Sequence, residues 1–161
     1  MLEWLESTEF SSLVRSELWG WPLALTVHAF GTALVVGFIV IIGLRLLGLF
    51  ELIPFSSLSR LFPVVWLGLV LQFASGFVLW AAKPTRYVAD GAFMLKFGLI
   101  IAGIILTVYF QRTIKREAAS WEGKGAIPSQ AVKIVAATLI VWCSVVIAGR
   151  LTGYLGSIDI G

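Results

Sequence analysis

Apolar residues run in four long blocks, each close to the roughly 20 residues a helix needs to cross a bilayer core. Residues 21–44 form the first, with His28 as its only ionisable group. Residues 61–82 form the second, between Arg60 and Lys83, with Pro63 in the first turn where a missing N–H costs little. Residues 92–110 carry Lys96 near their start, and residues 133–155 carry Arg150 near their end. The connections are turn chemistry: Pro54 and Ser56-Ser57 within 45–60, then Lys83-Pro84 and Asp90-Gly91 within 83–91. Residues 111–131 are the most polar stretch, and the third helix is predicted to run on into water until Gly123 or Gly125. Residues 2–19 differ. Leu2, Trp4, Leu5, Phe10, Leu13 and Leu18, set among charges, predict an amphipathic helix lying at the interface and broken near Ser7 or Ser11. The pattern predicts an all-α integral membrane protein, one domain over 1–161: a four-transmembrane-helix bundle with an N-terminal amphipathic interfacial helix.

Composition agrees. Of the 161 residues, 59% are hydrophobic and 13% charged, whereas soluble domains carry about one quarter charged. The formal charge of +3 comes from twelve Lys and Arg gathered near segment ends. No contiguous basic face results, so a nucleic-acid partner is not expected. Cys143 is the single cysteine, cannot form an intrachain disulfide, and is expected to be a small buried hydrophobe. The start, with Glu3, Glu6, Glu9 and Glu17 against Arg15, does not resemble a cleavable signal, which begins basic and turns apolar.

Lys and Arg also set an orientation. Arg45, Arg60, Arg112, Lys115, Arg116, Lys124 and Lys133 flank the first and third loops, against Arg15, Lys83, Arg86, Lys96 and Arg150 on the opposite side. Seven against five places loops 1 and 3 in the cytoplasm and both termini outside. His28 then lies roughly 10 Å deep from the outer side, and Lys96 within about one turn of it. Arg150 occupies the last turns of a helix running outward, and Glu17 stands just before the first span. Ionisable groups inside a membrane are costly, so each is a functional candidate.

The helix faces converge on the same region. Ala24, His28, Gly31, Thr32 and Val35 share one face of the first span. Gly68, Gln72, Ser75 and Gly76 make a small, polar stripe on the second, and Gly149, Thr152 and Gly153 flank Arg150 on the fourth. Small residues at helical spacing allow close helix packing or leave space for a flat cofactor. The plainer alternatives are a His28–Gln72 hydrogen bond between helices, snorkelling of Lys96 and Arg150 to the interface, and an outer aromatic belt of Trp19, Trp21, Trp80 and Tyr87.

Over residues 20–116 the chain resembles a broad group of bacterial four-helix membrane proteins, the CopD-type copper-resistance proteins and HemJ-type protoporphyrinogen oxidases. The resemblance rests on Val27-His28-Ala29-Phe30-Gly31, Leu44-Arg45-Leu46, Ser75-Gly76, and Gly91-Ala92-Phe93-Met94-Leu95-Lys96. It implies a bacterial inner-membrane location, haem b as cofactor, and functional roles for His28 and Lys96. Under that reading His28 ligates the haem iron, Gly31 and Gly76 make room for the macrocycle, and Lys96 and Arg150 pair with propionates. Gln72 is their polar neighbour. His28 is the only histidine, so a second axial ligand must be a symmetry-related His28, Lys96 or water. Met1, Met94 and Cys143 are the only sulfur residues, few for copper handling.

The leading functional expectation is a haem b-binding membrane protein with a redox or electron-transfer role. Alternatives are a non-catalytic accessory subunit of a membrane complex and a small copper-handling or transport protein. Whether the chain is an enzyme stays open. Beyond the lipid bilayer, the expected partners are further copies of the chain or other subunits of a membrane complex.

Overall fold

The computed structural model describes residues 2–89, 91–122 and 127–158, with side chains up to Thr152. It contains seven α-helices among these residues: α1 Leu2–Glu6, α2 Glu9–Ser16, α3 Gly20–Leu46, α4 Phe62–Ala82, α5 Pro84–Ala89, α6 Gly91–Trp121 and α7 Ser129–Ile158. A 3-10 helix, Phe55–Leu61, leads into α4. Four of these elements are long and apolar enough to cross a bilayer, so the chain is a multi-pass helical membrane protein.

Each boundary has a local cause. Pro63 sits in the first turn of α4, where no N–H partner is lost. Pro54, in extended conformation, immediately precedes the 3-10 helix. Leu47 and Gly48 close α3 by donating back to carbonyls of its last turn, and Gly48 takes φ +93 to turn the chain away. Helix α6 continues well past the apolar block to Trp121, short of the predicted end, and Gly123 and Gly125 lie outside the described residues.

Two expectations change, and a third is settled between its two alternatives. Residues 84–89 fold as the short helix α5 rather than an open turn, with Pro84 starting it. The N-terminal helix breaks only at Ser7–Thr8, because Thr8 caps α2 by accepting from the Ser11 N–H. Ser11 itself is buried inside α2. Its Oγ lies 2.9 Å from the Leu5 carbonyl and 2.5 Å from the Ala81 carbonyl, so the segment docks on the end of α4 as well as on lipid. Cys143 is exposed on the bundle surface, because in a bilayer an apolar outer face is as comfortable as a core.

The apolar core fills one half of the bundle. At the end bearing loops 1 and 3, Ile42, Leu46, Leu58, Phe62, Phe110 and Ile114 pack together, with Phe62 and Phe110 edge to face at 5.8 Å. A second cluster at mid-depth gathers Val35, Ile39, Val65, Leu69, Trp142 and Val145. Beyond that level packing loosens: no residue of α6 before Gly103 is buried. Arg45, 7% exposed, anchors the chain after α3 through Nε–H to the Ile53 carbonyl at 2.6 Å and Nη2–H to the Glu51 carbonyl at 3.3 Å. Its guanidinium lies 3.9 Å over the Phe55 ring, so a buried cation is satisfied without a carboxylate.

Candidate functional site

The polar stripes of α3 and α4 meet face to face. Their closest approach is at two glycines. A Cβ on Gly31 would stand 2.9 Å from the Gly68 carbonyl oxygen, and one on Gly68 would stand 3.0 Å from that of Gly31. Gly31 therefore serves the helix crossing, and the space beside it is already filled by α4.

Toward the end that carries the chain terminus, two polar rungs follow. Gln72 Nε2–H donates to Thr32 Oγ1 at 2.5 Å, and the Thr32 hydroxyl donates to the His28 carbonyl at 3.0 Å. One rung further, His28 Nδ1 lies 2.9 Å from Ser75 Oγ. The side-chain amide of Gln72 is thus not the partner of the His28 imidazole, which meets Ser75 Oγ and the Gln72 backbone. Helical period places both residues on one face of α4, and only the rotation of α4 against α3 selects between them. The remaining oxygen of Gln72, Oε1, is buried without a hydrogen-bond partner among the described residues.

Ser75 also bears on the imidazole tautomer. Its one hydroxyl proton is committed to the Leu71 carbonyl at 2.6 Å. With the serine proton donated to its own helix, Ser75 Oγ is the acceptor for a His28 Nδ1–H, the tautomer in which Nε2 carries the lone pair. Gly76 admits the ring: a Cβ there would lie 3.3 Å from His28 Cε1 and 3.7 Å from Nδ1. The space Gly76 provides is taken by the imidazole.

Lys96 comes from α6. Its side chain crosses Gly149 of α7, where a Cβ would stand 3.3 Å from Nζ. Lys96 has no hydrogen bond or ion pair among the described residues. Arg150, next along α7, is exposed, likewise without a hydrogen bond or ion pair there. Helical rotation separates the two neighbours, since Gly149 turns toward α6 and Arg150 away. Glu17 caps the end of α2 through its backbone and lies on the surface. The structure thus brings together His28, Gln72, Ser75 and Gly76, lays Lys96 across Gly149, and leaves Arg150 and Glu17 outside the cluster.

Ser75 and Thr32 are the partners that reasoning from the sequence undervalued. Both stood on the correct faces, and Ser75 lay in a motif, but hydroxyl groups in spans commonly bond their own helix. Thr32 and Ser75 do so here as well, to the residue four before.

An imidazole whose Nδ1 is hydrogen-bonded is a residue able to ligate a metal through Nε2. Among the described residues no group of three or more His, Cys, Asp and Glu gathers as a metal-ion cage. Two surface cavities, of about 400 and 230 Å³, lie at the N-terminal helices, lined by Glu3, Glu6, Ser7 and Thr85, and by Arg15, Trp21 and Lys83. Neither borders His28. No family model, curated protein or solved structure matches this chain.

Proposed function

We propose that this protein binds haem b within the membrane and serves a redox or electron-transfer role, with His28 Nε2 as axial ligand. The observation that carries the reading is the Ser75 oxygen beside Nδ1, an acceptor that favours the tautomer with the lone pair on the other nitrogen. Metal-ligating histidines regularly donate their second N–H to such a partner, which holds the ring and raises its basicity. Haem, if bound, would supply the one-electron couple of its iron, which His28 would hold.

The chain's own residues supply orientation and charge. Ser75 anchors Nδ1, Gly76 makes room for the ring against α4, and Lys96 offers an ammonium without a carboxylate partner among the described residues. A propionate is a suitable counter-ion for it, and the amine is also a candidate sixth ligand. The loosely packed early turns of α6 leave a lateral approach from the lipid for a flat, apolar molecule. The proposed location is a bacterial inner membrane with both termini outside, which puts His28 in the outer half of the bilayer.

The test is a visible spectrum of the protein expressed with haem supplied. A Soret band that disappears in His28→Gln, while the variant inserts and folds like the parent, is the expected result. A parent without Soret absorbance defeats the cofactor reading and leaves the accessory-subunit role in its place.

A further inference from the structure

We propose that the cavity between Arg15, Trp21 and Lys83 holds the phosphate of an anionic phospholipid headgroup, in the leaflet nearest the chain terminus. The cavity measures about 230 Å³ and is lined by two cations and an indole. Trp21 is in the first turn of α3 and Lys83 is the C-cap of α4. The cavity therefore sits at the depth where two spans end, the level of lipid headgroups and of interfacial tryptophans.

Of the two cations, Arg15 is engaged within the protein and Lys83 is not ion-paired among the described residues. Arg15 is held in place by Nη1–H to the Ala82 carbonyl at 2.7 Å and Nη2–H to the Glu6 carbonyl at 2.8 Å. The Glu6 carboxylate stands 3.6 Å from Nη1 and also accepts from the Thr85 hydroxyl. Lys83 makes no ion pair among the described residues; its Nζ stands 5.7 Å from the centre of the Trp21 ring. A lysine serving only the carbonyl end of α4 would bond those carbonyls, yet Arg15 and Ser11 occupy Ala82 and Ala81 instead. Two cations against one shared carboxylate leave a positive cavity at headgroup depth, and a phosphate diester anion is the complementary occupant.

The experiment is native mass spectrometry of the full chain released from detergent with added lipid. Retention of one phosphatidylglycerol per chain, stronger than of phosphatidylcholine, is expected. Lys83→Gln should weaken it about five-fold, Lys83→Arg should preserve it, and Arg60→Gln at the opposite end of α4 should not change it. Lys83 is the position to vary because Arg15 also caps α4, so its loss would perturb the fold. Equal retention of the two lipids, or unchanged retention in Lys83→Gln, overturns the proposal. Displacement of the lipid by millimolar inorganic phosphate would also overturn it, assigning the cavity to a soluble anion.

Discussion

His28 Nδ1 lies 2.9 Å from Ser75 Oγ, and the Ser75 hydroxyl is already donated to the Leu71 carbonyl. The imidazole is therefore oriented by the helix it faces, and the serine's own donation favours the tautomer with the proton on Nδ1. Ser75→Ala removes that acceptor while leaving His28 in place. If His28 ligates haem, Ser75→Ala should weaken haem retention about 10- to 100-fold, with a Soret band still formed at saturating haem. His28→Ala should abolish it. A haem titration of the three proteins checks this, and equal affinity of parent and Ser75→Ala would remove Ser75 from the site.

Lys96→Met distinguishes two roles for the amine. As a propionate partner, its loss should weaken haem retention but keep the shape of the visible bands. As a ligand to iron, its loss should shift them. A spectrum of Lys96→Met saturated with haem reads the difference directly.

The Gly31–Gly68 crossing sets the distance between α3 and α4. Gly68→Ala would place its Cβ 2.8 Å from Leu34 Cβ and 3.0 Å from the Gly31 carbonyl, so the helices must move apart. The expected cost is about 1–3 kcal/mol of stability, with the polar rungs loosened as well. Gly37→Ala on the same α3 meets nothing within 4 Å and should be neutral or slightly stabilising. Unfolding in mild detergent compares the two, and equal effects would show that the crossing does not depend on close approach.

The Lys and Arg distribution predicts both termini outside. Ser7→Cys should be labelled by an impermeant reagent in intact cells and Ser120→Cys should not, each in a Cys143→Ala background. Both positions are exposed, Ser7 between α1 and α2 and Ser120 in the last turn of α6 beyond its apolar block. The opposite pattern would reverse the sidedness of His28.

A small bundle with loosely packed early turns on α6 is also expected to associate with itself, because helix packing in lipid is driven by close contact. Mass measurement in mild detergent should show more than one chain per particle. A single chain across all concentrations would refute self-association.

Length and apolarity determined the four spans, and period determined the faces. Leu61 to Ala82 could only be a spanning helix once every backbone group had to be satisfied inside the segment. The 3.6-residue repeat put His28, Gly31 and Thr32 on one side of α3, and Gly68, Gln72 and Ser75 on one side of α4, before any contact was known. The amphipathic N-terminal segment was legible for the same reason. What no repeat contains is the rotation and offset of one helix against another. Those are fixed where Gly31 and Gly68 let two backbones touch, and that contact brings Ser75 rather than the Gln72 amide to the imidazole. It took the fold, too, to turn Gly149 toward Lys96 while leaving Arg150 outward, and to seat Ser11 and Arg15 on the open carbonyls of α4. Cys143 marks the same limit from the other side. In lipid, inner and outer helix faces are both apolar, so hydrophobicity locates a membrane helix without saying which way it faces.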